Sequence, residues 1–301
     1  MKYLNAKRLI FLLVFLTSLL FLVIFSFPDN RLHLVFCDVG QGDAILIIKG
    51  FTQILIDGGP NEKVLGCLAN NLPFYDRKIE VVALTHPEAD HLTGLISVLD
   101  KYRVDYFLTG PLGNDSSAFE ALLIRLKKQQ NASLVGKSPK IINIYSGDKI
   151  KIGEMVLTSL WPDKQWLADR ADIKMMDGKG GREYVLGAKT EYKKLNDFSL
   201  VFLLKYQNKS FLFMGDADFS VQDNIIENSN LTQIDILKFP HHGSKTGIDE
   251  EFLKIIKPKE TVISVGKNSY GHPSKEALVL LEKYRVKIRR TDKEGEIKYS
   301  F

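Results

Sequence analysis

His86, Glu88, Asp90 and His91 fall within one short stretch, and imidazole plus carboxylate at that density is the equipment for holding a divalent cation. Such a cluster is costly unless a metal or a charge network compensates it. The run before it, Ile79-Glu80-Val81-Val82-Ala83-Leu84-Thr85, is apolar and β-branched and reads as a buried strand. Pro87 ends the run, since proline cannot continue a central ladder. The candidate ligands therefore stand at a strand's C-terminal end, where α/β sheets place their sites. In an extended turn His86 and Glu88, at i and i+2, point the same way. Asp90 and His91 fall where a helix begins and face a second ion from there. The competing reading, a solvated loop with two chance histidines, is weakened by further clusters downstream.

Five of the six histidines (His86, His91, His241, His242 and His272) follow expected strands. His33 lies inside a strand and reads as a structural or surface residue. Phe211-Leu212-Phe213-Met214 runs into Gly215-Asp216-Ala217-Asp218, which places Asp216 to bridge two cations and suits Asp218 to a helix N-cap. Ile236 to Pro240 delivers His241-His242-Gly243-Ser244. Two adjacent histidines do not easily face one ion, so one is expected as a ligand and the other as a supporting or substrate group. His272, in Gly271-His272-Pro273, is expected as a ligand or a transition-state stabiliser. Asp43 and Asp57 complete an acidic rim, with a plain turn role the equal alternative. Lys238, Lys245 and Lys267 flank these loops as candidate phosphate contacts, each otherwise a solvated lysine. Ser244 joins Asp43, Asp57, Lys238 and Lys245 in the expected substrate-contact set.

The elements that must position these residues begin with strands at Leu32–Val39, Ala44–Lys49 and Thr52–Ile56, joined by a Gly40–Asp43 turn and a Gly50-Phe51 hairpin. That opening argues against a simple βαβ unit. Helices are expected at 62–70, 94–101, 117–130, 220–228, 250–256 and 275–284. Further strands are expected at 104–109, 141–145, 149–152, 155–160, 198–206, 210–214, 234–239 and 261–265. Residues 287–290 and 296–301 read as a hairpin around Glu294-Gly295. The segment 162–195 is irregular, dense in charge and glycine, and reads as a surface loop or lid. The whole is read as one domain with two sheets and helices outside them.

The chain has 301 residues, 45% apolar and 26% charged, an ordinary globular composition with one unusual end. Leu9 to Phe27 carries no charge and is long enough to span a bilayer as a helix. Lys2, Lys7 and Arg8 precede it, which favours an N-terminus inside and a domain outside. Phe25-Ser26-Phe27-Pro28 has no small-residue cleavage pattern, so an uncleaved anchor is expected rather than a signal peptide. Residues 1–30 are then the anchor and 31–301 the domain. Without Lys2, Lys7, Arg8 and Asp29 the domain keeps 38 basic against 35 acidic residues, a balance that neither demands nor excludes nucleic acid. Cys37 and Cys67 are expected as two small buried side chains, with pairing outside the cell the alternative.

His86-Pro-Glu-Ala-Asp90-His91 resembles the signature of metallo-β-lactamase-fold hydrolases, with Glu88 where many members have histidine. Taken with Asp38-Val-Gly-Gln-Gly-Asp43, Asp57-Gly-Gly59, Gly215-Asp216, Leu237-Lys-Phe-Pro-His-His-Gly-Ser244 and Gly271-His-Pro273, it resembles the hydrolase domain attached to competence DNA-uptake channel proteins (the ComEC type), over nearly all of residues 32–301. The resemblance implies a mixed α/β, four-layer αββα sandwich behind one N-terminal transmembrane helix. It implies His86, Glu88, Asp90, His91, Asp216 and one of the late histidines (His241, His242 or His272) as ligands, with Asp90, Asp216 and His272 acting at the reacting groups. There are two departures. The usual histidine of the third motif is missing, and Asn196-Asp197-Phe198-Ser199 occupies its region, leaving the first metal site weaker or served by Asp197. The channel's many transmembrane helices are also absent, so this chain is not itself a pore.

Two divalent ions (zinc or manganese, with iron a further candidate) held ~3.5–4 Å apart would lower the pKa of a shared water towards ~7, which suits ester hydrolysis. The function expected is that of a membrane-anchored, extracytoplasmic phosphodiesterase or nuclease related to DNA uptake, with DNA and a separate channel protein as partners. The alternatives are a hydrolase of a cell-envelope ester, lactone or lactam, and an inactive domain that binds DNA or a channel.

Overall fold

The structure is a computed structural model that describes residues 6–25, 27–132, 138–171 and 194–301, with side chains of residues 22–25 not described. The strands are β1 (Leu32–Phe36), β2 (Ile45–Lys49), β3 (Thr52–Ile56), β4 (Lys78–Leu84), β5 (Arg103–Thr109), β6 (Lys140–Asn143), β7 (Lys149–Ile152), β8 (Met155–Trp161), β9 (Val201–Tyr206), β10 (Lys209–Phe213), β11 (Ile236–Lys238), β12 (Glu260–Ile263), β13 (Lys287–Arg290) and β14 (Ile297–Ser300). The helices are α1 (Ala6–Phe25), α2 (Lys63–Asn71), α3 (Ala89–Lys101), α4 (Ser117–Ala132), α5 (Lys164–Ala168), α6 (Gln222–Glu227), α7 (Glu250–Ile256), α8 (Lys275–Lys283) and α9 (Thr291–Glu294).

Two seven-stranded sheets result, ordered β14-β1-β2-β3-β4-β5-β6 and β13-β12-β11-β10-β9-β8-β7. Side-chain alternation decides what each face covers. In β1, Leu34 and Phe36 enter a core shared with Phe202, Phe211 and Phe213 of the second sheet, whereas Val35 points the other way into a core with α2, α3 and α4. Leu203, Leu212 and Leu237 likewise leave the second sheet outward to meet Phe252 of α7 and Leu281 of α8. Three apolar cores between four layers give the expected αββα order.

Two expectations change. The last two strands are not a hairpin: β13 pairs in parallel with β12, while β14 pairs antiparallel with β1 in the other sheet. Glu294-Gly295 makes the local turn, but each strand's hydrogen-bonding edge is supplied by a remote partner. Cys37 and Cys67 are joined in a disulfide rather than merely buried. Cys67 lies on the inward face of α2 with Val64 and Leu68, and its Cα is 5.8 Å from that of Cys37, within bridging range. As for the anchor, among the described residues no helix is long and apolar enough to cross a membrane. In α1 the side chains are described only to Phe21, and those from Leu9 to Leu16 are exposed. Of the expected lid over 162–195, residues 172–193 lie outside the described residues.

Candidate metal centre

β3, β4, β10 and β11 all leave their sheets at one place. β3 hands over to Asp57, β4 to Thr85-His86, β10 to Gly215-Asp216 and β11 to the His241-His242 turn. The parallel pairings β3–β4 and β10–β11 set these exits side by side. α3 starts at Ala89, so Asp90 and His91 occupy its first turn, where the helix dipole favours a carboxylate. Its approach needs Gly94: a Cβ there would collide with the carbonyl oxygens of Gly58 and Asn61. His241 and His242 both adopt left-handed backbone conformations (φ 49° and 52°), strain of the kind that persists at functional sites.

Asp90, His91, Asp216 and His242 each offer a ligand atom, and these atoms lie within 4.8 Å of one another. His91 Nε2 is 3.3 Å from Asp216 Oδ2, and His242 Nε2 is 3.3 Å from Asp90 Oδ2 and 3.5 Å from Asp216 Oδ2. His86 lies alongside, its ring 4.1 Å from that of His91 and its Nε2 3.9 Å from Glu88 Oε2. The geometry is thus one complete tetrad beside a half-set formed by His86 and Glu88.

The histidines are aimed. His242 Nδ1 donates to the carbonyl of Ser264 at 2.9 Å, and His91 Nδ1 meets Asp57 Oδ2 at 2.8 Å. The Thr85 hydroxyl donates to Asp57 and therefore accepts from His86 Nδ1, 3.0 Å away. With every Nδ1 engaged, the three buried Nε2 atoms are left without a hydrogen-bond partner. An orphaned buried polar atom costs about 1–3 kcal/mol, which a cation at the convergence point relieves. A ligating imidazole whose other nitrogen bonds a carboxylate or carbonyl is the usual arrangement around a metal, and two imidazoles with two carboxylates fit a divalent ion.

Protonation differs among the three rings when no metal is bound. Burial, with the neighbouring His91, lowers the His86 pKa to about 3, so its ring is neutral. Burial opposes charge on His91 and His242, but Asp216 with Asp57, and Asp216 with Asp43, outweigh it; His91 rises well above the usual imidazole range and His242 to about 9. Burial likewise raises Asp216 and Asp90, yet His242 and His91 bring both below the ordinary carboxylate range. Glu88 is raised, by burial and then by Asp90 and Asp216.

Several expected substrate contacts stand elsewhere. Asp43, Asp57 and Lys238 are buried, so they support the centre from behind instead of meeting substrate. Lys238 ion-pairs with Asp43, donates to the Gly215 carbonyl at 2.9 Å and lies 3.6 Å from Asp216 Oδ1. Ser244 is buried too, bonded to Thr246. Lys245 and Lys267 are exposed. His241 is outside the tetrad: Asn196 reaches its ring nitrogens at 3.3 and 3.4 Å, and the His272 ring is 5.5 Å away. Asp197 turns away, its carboxylate accepting from Ser220. Sequence reasoning missed Thr85 and the Ser264 carbonyl; the threonine beside His86 is the one visible signal, while a backbone acceptor leaves none.

The family model described as "Metallo-beta-lactamase superfamily" matches residues 37–267. The chain is 25% identical over 289 residues to ComE operon protein 3 of Bacillus subtilis (strain 168), covering 88% of this chain and 32% of that protein. It is 26% identical over 270 residues to Recombination protein 2 of Haemophilus influenzae, covering 88% of this chain and 28% of that protein. It therefore spans about a third or less of these curated relatives. Among solved structures, the metallo-beta-lactamase fold protein YhfI from Bacillus subtilis superposes with a TM-score of 0.51 at 13% identity, covering 91% of this chain and all of that one, a likeness of fold alone.

Proposed function

The chain belongs to the metallo-β-lactamase superfamily, and from that membership we propose that it is a membrane-anchored, extracytoplasmic metal-dependent hydrolase that cleaves phosphodiesters, DNA first among them. The observation that carries the metal-dependent reading is the set of three buried imidazoles with Nδ1 engaged and Nε2 unpartnered, converging on Asp90 and Asp216. Asp90, His91, Asp216 and His242 would hold one divalent ion; His86 and Glu88 would contribute to a second. Bound there, such ions supply Lewis acidity and lower the pKa of water towards ~7. The chain's own residues do the rest. Asp57, Thr85 and Ser264 hold the three rings in a ligating tautomer. His272, at the rim, is kept neutral by burial and by His241 and His242, so it can bond an oxygen of the substrate. Lys245 and Lys267 are exposed on the loops that follow His242 and Val265, and positive charge there suits a polyanion.

The anchor reading is supported by the exposed apolar side chains of α1. The disulfide supports an oxidising compartment. Similarity to competence-related relatives supports DNA and a separate channel protein as partners. One feature favours a second reading, a domain that binds without turnover: the region where the resemblance expects a third-motif histidine carries Asn196-Asp197-Phe198-Ser199 instead.

Metal content and cleavage of DNA and of a simple phosphodiester by the full chain, beside Asp216→Ala and Asp90→Ala, test the proposal. Bound metal with cleavage lost in both variants is the expected result. Metal with no phosphodiester cleavage would shift the substrate to an envelope ester, lactone or lactam, and no bound metal would favour the binding domain.

A further inference from the structure

Far from the metal centre, four aromatic side chains lie open to solvent: Phe27 (57% exposed), Phe51 (50%), Phe74 (67%) and Tyr75 (39%). They touch in series. The Phe27 ring is 5.7 Å from Phe51 and 6.4 Å from Tyr75, and Tyr75 is 5.2 Å from Phe74. Exposed large rings are normal singly, but a contiguous group of them marks an interaction surface.

Its place in the fold says what covers it. Phe27 lies two residues beyond the end of α1, a helix whose described side chains include exposed leucines and phenylalanines. Phe51 is in the β2–β3 hairpin, and Phe74-Tyr75 lead into β4. β3 and β4 are parallel and both run away from the patch. The exposed cations Arg77, Lys101 and Arg103 sit at the same entering ends. Asp57, Thr85 and His86 follow the leaving ends of the same two strands. Seven residues of β4 and the two that follow, at ~3.3 Å each, separate patch from site by about 25–30 Å.

We propose that Phe27, Phe51, Phe74 and Tyr75 rest in the headgroup layer of the membrane that α1 enters, seating the domain with its metal centre turned away from the lipid. Amphipathic and aromatic rings collect at that depth, and the neighbouring cations suit anionic headgroups. The inference rests on the anchor reading. It adds that substrate arrives from the aqueous side, not from within the bilayer.

The chain's two native tryptophans provide an internal control. Trp161 ends β8, which runs in the same direction as β10, so it and nearby Trp166 lie at the site end. The full chain and its Phe74→Trp variant are reconstituted into phosphatidylcholine–phosphatidylglycerol vesicles with and without bromine on the acyl chains. The expected result is quenching of the emission added by Phe74→Trp, with native emission unchanged; Phe51→Trp is the second variant should the first fail to fold. Added emission that escapes quenching in chains that withstand an alkaline carbonate wash overturns the proposal and leaves the anchor standing. Native emission that is quenched as well overturns the orientation. Release of the chain by the wash overturns the anchor and this proposal together.

Discussion

Asp57→Asn isolates what the carboxylate behind His91 contributes. Asp57 accepts three hydrogen bonds at 2.8 Å: the Thr85 amide on Oδ1, and the Thr85 hydroxyl and His91 Nδ1 on Oδ2. An asparagine amide keeps only one oxygen. If that oxygen retains the Thr85 amide, the NH2 group faces His91 Nδ1, which must then accept. The imidazole proton moves to Nε2, the atom that faces Asp216, and the ring can no longer ligate without reversing the tautomer. The backbone tolerates the change, since residue 57 has φ 60° and asparagine accepts left-handed conformations where alanine does not. The site is fully buried, so water cannot substitute. Losing such a supporting carboxylate typically costs 10–100-fold in metal affinity, or about 1.4–2.7 kcal/mol. Competition against a chromophoric chelator reads this directly, and thermal unfolding of the metal-free chain separates it from any loss of stability. Metal affinity within about twofold of the native chain would refute the reasoning and leave Asp57 a turn residue.

Gly94→Ala is expected to destabilise by about 1–3 kcal/mol and to weaken metal binding with it, because its methyl meets the Gly58 and Asn61 carbonyls and pushes α3 off; an unchanged melting temperature would contradict the close approach. Reduction, or Cys67→Ser, opens a loop spanning 30 residues and should cost about 3–4 kcal/mol, read as a lower urea midpoint under reductant. His242 has a folded pKa of about 9 against 6.5 for the model imidazole, so its proton stabilises the metal-free chain fully below 6.5 and that contribution fades as pH rises through 9. A metal must displace that proton, so apparent metal affinity should climb with pH across this window; a flat profile in a competition titration would remove His242 from the ligand set.

Local patterns carried much of the fold and the site's outline. The apolar run closed by Pro87 marks where β4 releases His86, and Asp90-His91 falls at a helix start because both residues head α3. The clustered motifs were specific enough to point to the family. What local pattern hides is which loop lies over which strand. Lys238 looks solvated beside a loop, yet Asp43 arrives from the β1–β2 connection two hundred residues away to pair with it. The adjacent His241 and His242 are equivalent in sequence and separated only by a backbone that turns one inward and the other towards Asn196. The β13–β14 error has the same origin: the turn is local and the partners are not.

The pairing of β14 with β1 brings Leu32 and Phe301 together, each amide donating to the other's carbonyl at 3.1 and 2.9 Å. Both ends of the folded unit therefore leave through one doorway, at the pole opposite the metal centre. Units whose ends lie close together are readily carried as insertions or fusions. A reporter attached after Phe301 would emerge beside the exit of α1 and leave the mouth of the site clear.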